Sequence, residues 1–260
     1  MAGDALTTHS KTSLVRRRPP GLQPENVPRW KFSAGARQLR NFWRLRRRLA
    51  ELVTATVSCR NIGQIFDEVQ RFPEFRSQQK RQEFVGLLEL LAEKPPRYLC
   101  EIGSRRGGTT FLLARVCAAD ATVISVDKDL SIGRSMIHRR MGIAQQRIVC
   151  IRGDSRFHQT IDRVTSVLGK NSLDCLFIDG DHSLGGVTAD FDGYSPLVGS
   201  GGTVVFHDIV SDYKTRFGID SESYTGGVPE FWRSIKSRFH SGELIEDSEQ
   251  DGFGLGIIHW

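Results

Sequence analysis

Two short runs in this chain gather side chains able to hold a metal ion or move a proton: Phe177-Ile178-Asp179-Gly180-Asp181-His182-Ser183 and Val205-Phe206-His207-Asp208-Ile209. Carboxylate oxygens and imidazole nitrogens are the donors from which divalent-cation sites are built. A neutral imidazole, with a reference pKa of about 6.5, can also accept a hydroxyl proton at physiological pH. A plainer use exists for each residue, because a strand-terminal Asp often caps the following helix and a His can simply pack. A third use is a His-His-carboxylate set drawn from His182, His207 and Asp179 or Asp208. That is the ligand chemistry of non-haem Fe²⁺, and it keeps an oxygenase in view. Among the other histidines, His138, His158, His240 and His259 lack such neighbours.

A second group of positions suits a nucleotide-like ligand. Glu101-Ile102-Gly103-Ser104-Arg105-Arg106-Gly107-Gly108-Thr109-Thr110 reads as a glycine-rich turn between a strand and a helix, where backbone can approach a ligand and the helix start offers free amide donors. It lacks the second glycine of the dinucleotide fingerprint GxGxxG. Asp127, at the next strand end, is placed to accept bonds from both hydroxyls of a ribose. Gly153-Asp154-Ser155, at the third, brings two polar side chains suited to an adenine edge.

These positions acquire meaning from the elements that carry them. Short apolar runs recur at Tyr98 to Ile102, Thr122 to Val126, Arg147 to Ile151, Leu173 to Ile178 and Thr203 to Phe206, separated by stretches that can hold helices. Near-continuous apolar strands alternating with helices predict a doubly wound α/β domain with a mostly parallel sheet covered on both faces, and ligands bind beyond the carboxyl ends of such strands. Phe253 to Trp260 reads as a further strand, forming a hairpin with Glu243 to Glu246. Upstream, Leu39, Phe42, Trp43, Leu49, Leu52 and Val53 recur at helical spacing, and a second helix runs from about Gln78 to Glu93. Three segments follow: a flexible basic arm over 1–35, a helical extension over 36–94, and a catalytic domain over 95–260. Val210 to Val228, with Tyr213, Phe217, Tyr224 and Gly218, Gly226 and Gly227, is either a mobile lid over an aromatic or sugar-like ligand or a solvent loop.

Composition removes several function classes. The formal charge of +6 is uneven: residues 1–50 hold twelve Lys and Arg against two acidic residues, so the remainder, with twenty-four basic and twenty-eight acidic residues, is slightly acidic. A nucleic-acid channel through the active site is therefore not expected, and a noncatalytic binding protein would act through the arm. Arg44, Arg46, Arg47 and Arg48 give the first helix a basic face, read as solvated or as facing an anionic partner. The five cysteines form no CxxC pair and read as reduced packing residues. No membrane span or secretory signal is apparent, which predicts a cytoplasmic protein.

Glu101-Ile102-Gly103 with Gly107-Gly108-Thr109, then Asp127, then Gly153-Asp154-Ser155 resemble the S-adenosylmethionine site of class I methyltransferases, over about residues 80–260. The chain is similar in particular to the macrocin-type sugar O-methyltransferases and the cephalosporin-hydroxylase-like proteins. The resemblance implies a seven-stranded Rossmann-like sheet. It also implies cofactor contacts from Glu101, Gly103, Ser104, Gly107, Thr109, Asp127, Asp154, Ser155 and Asp179, with Gly103 under the methionine moiety and Glu101 orienting that end or its loop. Arg105 and Arg106 depart from the smaller residues common there. It brings Asp179, His207 and Asp208 together as ligands for Mg²⁺, with Mn²⁺ or Fe²⁺ as alternatives, and His182 beside them as general base. His207 stands where many relatives have an oxygen ligand, which leaves as an alternative that it sits behind the ligands and Asp181 completes the site. The implied reaction is methyl transfer to a hydroxyl of a small sugar, aromatic or other natural-product acceptor, and the N-terminal helices could support a homo-oligomer.

Overall fold

The computed structural model describes residues 29–143 and 145–260, with side chains from residue 35 onward. Most of the expected arm, residues 1–28, lies outside the described residues. The chain divides into a first unit ending at Gln38, which holds the opening turns of helix α1 (Arg29–Thr56), and a second unit, Leu39–Trp260, which holds the rest. Helix α1 begins inside the segment expected as an arm. Among the described residues no helix is long and apolar enough to cross a membrane.

After α1 come α2 (Ile62–Gln70) and α3 (Arg81–Glu93), then β1 (Tyr98–Ile102), α4 (Gly108–Val116), β2 (Thr122–Asp127), α5 (Ile132–His138), β3 (Arg147–Arg152), α6 (His158–Leu168), β4 (Leu173–Ile178), α7 (Leu184–Tyr194), β5 (Val198–His207), α8 (Tyr213–Phe217), α9 (Val228–Ile235), β6 (His240–Leu244) and β7 (Leu255–His259). The sheet has seven strands in the order β3-β2-β1-β4-β5-β7-β6, parallel except where β7 runs antiparallel to β5 and to β6. The order reverses between β1 and β4, the switch point at which open α/β sheets bind ligands.

Strand residues alternate between two cores, which explains why the strands read as unbroken apolar runs. Leu99, Val123, Cys175, Phe177, Val205 and Ile257 face a layer built from α1 to α4, with Leu45, Leu49, Leu52, Phe84, Leu88 and Phe111. Cys100, Ile124, Val126, Leu176, Val204 and Phe206 face the other, with Val164, Val187, Phe191 and Trp232 from α6, α7 and α9. All five cysteines are free, and four are buried.

Three differences from the expected elements have local causes. Helix α2 was not expected; Asn61 caps it, its side chain accepting from the Gln64 amide, and its buried face is only Gly63, Phe66 and Val69. Helix α3 starts at Arg81, so Gln78 to Lys80 lie outside it, in irregular chain that bends at Gln79. Strand β6 spans His240–Leu244, earlier than expected, and Ile245 to Gly254 form the connection to β7.

Candidate active site

Beyond the carboxyl ends of β1 to β5 lies a cleft of about 770 Å³, a volume of the size that holds a cofactor or drug-sized ligand. Its lining includes Gly103, Ser104, Thr109, Asp127, Asp154, Ser155 and Asp179, and at its other end His182, His207 and Asp208. Two expected contact residues, Glu101 and Gly107, are not part of that lining.

Their positions show why. Glu101 points into the α4 layer and is fully buried, its Oε2 accepting from Thr110 Oγ1 while Oε1 has no protein partner. Burial, only partly offset by the Thr110 hydrogen bond, pushes its carboxyl up to about 8, with the charges of Asp179 and Asp127 adding to the rise. Glu101 thus sits beneath the loop, bonded to α4. Gly107 is left-handed (φ 84°) and closes the turn over His138, whose Nε2 lies 2.4 Å from where a Cβ would be. His138 is fully buried, and desolvation lowers its pKa to about 4. Nothing in the sequence around His138 signalled this role. Gly103 is also left-handed (φ 91°), and a Cβ there would fall 1.7 Å from the Asp179 carbonyl oxygen. The close approach of the β1 and β4 ends is itself a reason for glycine.

Asp127 organises the loop as well as facing the cleft. Its Oδ2 accepts from the Arg105 amide (2.6 Å) and its Oδ1 from the Asp129 amide (2.7 Å), leaving further lone pairs on each oxygen. This explains how Arg105 is carried at φ 43°. Asp154 is gripped by Arg156, whose Nε and Nη2 donate to its two oxygens at 2.9 and 2.7 Å. That pairing holds the Asp154 carboxyl down at about 2. Arg156 also donates to Asp181 Oδ2 at 3.0 Å, which pairs Asp181 with the Arg156–Asp154 group and not with the Asp179, His182 and Asp208 cluster.

At the other end two acids and two imidazoles crowd together. Asp179 Oδ1 lies 3.3 Å from His182 Nε2 and 3.3 Å from His207 Nδ1. Asp208 Oδ2 lies 3.4 Å from His182 Nδ1 and 3.3 Å from His207 Nδ1. Ligand atoms of Asp179, His182 and Asp208 all fall within 4.8 Å of one another. His207 is buried, and neither of its nitrogens has a hydrogen-bond partner. Asp208 is left-handed (φ 67°), a strain of the kind that persists where surrounding structure enforces it.

The tautomer of His182 follows from its neighbours. Its Nδ1 lies 2.7 Å from the Tyr224 carbonyl oxygen, which can only accept, so Nδ1 carries a proton. Nε2 then faces a carboxylate, and that contact is favourable only if Nε2 holds a second proton or a cation stands between the two. Burial lowers the His182 pKa, but the Asp179 hydrogen bond and the charges of Asp179 and Asp208 outweigh it and carry the value up to about 9. The same two acids raise His207 against its burial. Positive charge beside Asp179 and Asp208, on the imidazoles or on a cation, is what this arrangement favours. This donor set, with its partnerless His207 nitrogens, fits a divalent cation.

The segment Val210 to Val228 is pinned at its base. Asp212 Oδ2 accepts from the Thr225 amide and hydroxyl, while Phe217, Ile219 and Tyr224 are exposed. Gly226 and Gly227 are not free hinges: the Gly227 amide donates to the His182 carbonyl at 2.7 Å, and a Cβ on Gly226 would meet that oxygen at 2.2 Å. The Tyr224 ring stacks on His182 (6.2 Å, 13°). Sequence reasoning missed Arg76, Ser77 and Gln78, which line the cleft from the stretch between α2 and α3, and Asp251 and Phe253, which line it from the β6–β7 connection. Their signal, a polar cluster before a helix, is common to many loops.

A family described as a methyltransferase domain matches residues 100–209. No curated protein matches the chain. Among solved structures, an O-methyltransferase from Bacillus cereus in complex with SAH is 17% identical with a TM-score of 0.55, covering 81% of this chain and 97% of its own. A putative O-methyltransferase from Klebsiella pneumoniae is 19% identical (TM-score 0.52; 81% and 96% covered). The O-methyltransferase TomG from Streptomyces achromogenes, in complex with SAM, is 16% identical (TM-score 0.50; 81% and 96%). At these identities the structures establish a shared fold.

Proposed function

We propose that this chain, whose residues 100–209 match a methyltransferase-domain family and whose sheet has the class I methyltransferase order, is an S-adenosylmethionine-dependent O-methyltransferase assisted by a divalent cation. One observation carries the reading: the glycine turn, Asp127, Asp154 and Ser155 line the same cleft as Asp179, His182 and Asp208, so a methyl donor at one end and an activated hydroxyl at the other would meet in one cavity. In this reading the helices α2 and α3 close one side of a catalytic domain over 95–260.

The residues divide the work. Gly103, Ser104 and Thr109 bring backbone and hydroxyl groups to the methionine end, with Glu101 and Gly107 supporting the turn from beneath. Asp127 accepts from ribose hydroxyls with the lone pairs left by Arg105 and Asp129. Asp154, held by Arg156, and Ser155 face the adenine. Asp179 through Oδ1 and Asp208 through Oδ2 would hold Mg²⁺ or Mn²⁺, with His182 or His207 supplying nitrogen. When bound, such an ion supplies a Lewis acid that acidifies a hydroxyl and fixes its oxygen. Alignment of that oxygen with the methyl carbon is the main catalytic contribution expected of such a site.

In this reading His182 Nε2 would take the hydroxyl proton, which is supported by the commitment of Nδ1 to the Tyr224 carbonyl. It can do so only when it does not already hold the proton that Asp179 and Asp208 stabilise there. A cation held by Asp179 and Asp208 would compete with that second imidazole proton, so binding it would favour proton release. The acceptor would lie against Tyr224, Phe253, Asp251 and Glu222, an aromatic and polar lining suited to a small hydroxylated ring or sugar. The testing experiment is calorimetry with S-adenosylhomocysteine, with and without Mn²⁺, followed by transfer of labelled methyl to a panel of phenolic and sugar hydroxyls. Absence of S-adenosylhomocysteine binding would defeat the reading outright, and full transfer after verified chelation would defeat its cation.

A further inference from the structure

Asp179 and Asp208 share a pattern: each carboxylate has one oxygen turned toward the imidazole pair and the other tied to a donor from a different part of the chain. Asp179 Oδ1 faces His182 and His207, while Oδ2 accepts from Gln79 Nε2 at 3.0 Å. Asp208 Oδ2 faces the imidazoles, while Oδ1 accepts from the Phe253 amide at 3.0 Å.

Both ties lead back to the helical extension. Gln79 stands two residues before α3, is only 8% exposed, and lies outside the matched segment 100–209. Its stretch of chain is held firmly: Gln70 Nε2 donates to the Ser77 carbonyl at 3.1 Å, and Ser77 and Thr109 hydroxyls pair at 3.0 Å in the interior. Gly108 packs so close that a Cβ would fall 1.9 Å from the Phe75 carbonyl oxygen. The Phe253 loop is held in turn by Glu83, which is buried on α3 and accepts from the Gly254 amide (2.9 Å), Gln250 Nε2 (2.7 Å) and the Glu246 amide (3.1 Å).

We propose that Gln79 is a positioning residue that fixes Asp179 for one-oxygen binding of the divalent cation, so that the helical extension is part of the cation site and not an appendage. The inference rests on the reading of Asp179 as a cation-facing carboxylate. A donor on Oδ2 stops the carboxyl from rotating, presents Oδ1 alone to the cluster, and moderates the repulsion between two acids sharing one centre. Mg²⁺ and Mn²⁺ favour such single-oxygen carboxylate contacts in an octahedral shell.

The test uses the full-length protein saturated with S-adenosylhomocysteine, with Mn²⁺ as probe. Gln79→Met keeps length and apolar volume but removes the donor. It is expected to weaken Mn²⁺ binding by about 10- to 100-fold, the usual cost of losing a group that orients a ligand, and to change the EPR spectrum of bound Mn²⁺. Its affinity for S-adenosylhomocysteine should stay that of the wild type. Gln79→Asn, whose shorter amide cannot reach Oδ2, should behave alike and serves if the Met variant does not fold. Unchanged Mn²⁺ affinity and spectrum in a folded variant would overturn the role of Gln79 alone. Parallel loss of Mn²⁺ and S-adenosylhomocysteine binding would overturn it in favour of a merely structural part. A wild type that binds S-adenosylhomocysteine but no Mn²⁺ would overturn it together with the cation reading, an outcome distinct from the other two.

Discussion

Glu101 is a carboxyl group folded into an apolar layer, and its cost should be visible as a pH-dependent weakness of the cation-free protein. Burial, the main cause, pushes its pKa from the ordinary 4.5 to about 8, against the opposing hydrogen bond from Thr110. Between those values the folded chain holds a proton that the unfolded chain has released, so unfolding releases protons and stability must fall as pH rises. At about 1.4 kcal/mol per pH unit, the separation amounts to roughly 5 kcal/mol by pH 8 as an upper figure. Against a typical total of about 5–15 kcal/mol, even half of that is large.

The perturbation that isolates it is Glu101→Gln, which keeps the shape and an acceptor for Thr110 but cannot ionise. Urea unfolding of both proteins at pH 5, 6, 7 and 8, in EDTA and without cofactor, gives the difference directly, and groups common to both chains cancel. The variant should match the wild type near pH 5 and exceed it progressively, by several kcal/mol at pH 8. Two parallel stability curves would refute the argument, because they would mean that Glu101 ionises as easily inside the fold as outside it.

Gly103→Ala should lower stability by at least about 3 kcal/mol, from positive φ and the collision with the Asp179 carbonyl; thermal melting would show it, and an unchanged melting temperature would remove the steric account. Asp127→Ala should weaken S-adenosylhomocysteine binding by about 1–3 kcal/mol and Asp127→Asn by less, because Asn keeps one acceptor for the loop amides; calorimetry decides, and equal affinities for all three proteins would take Asp127 out of the site. Mn²⁺ affinity should rise with pH up to about 9, where His182 gives up the proton that competes with the ion, and a flat titration would separate His182 from the cation. His182→Ala should cut methyl transfer by about 10²- to 10⁴-fold with Mn²⁺ affinity kept if the imidazole is the base; collapse of Mn²⁺ binding would make it a ligand instead.

What the sequence made legible was whatever depends on chain-local order. Apolar runs sandwiched between helices mark a sheet covered on both faces, and in such a sheet ligands bind at the strand ends, so it could be expected without coordinates that Asp127, Asp154, Asp179, His182, His207 and Asp208 would line one cleft. Contacts that span the chain left no local trace. Gln79 meets Asp179 across 100 residues and Glu83 meets Gly254 across 171, and neither a lone Gln nor a lone Glu beside a helix start announces a partner. His138, under Gly107, was invisible for the same reason. Two readings also changed sense once neighbours were known. Gly103 looked like room for a ligand, yet the Asp179 carbonyl already fills the space a side chain would need. An isolated imidazole with an ordinary pKa makes His182 a ready base, but between two carboxylates it is a proton holder until something else balances their charge. The spacing of residues along strands therefore locates this chemistry, while its state of protonation is set by groups that only the fold brings together.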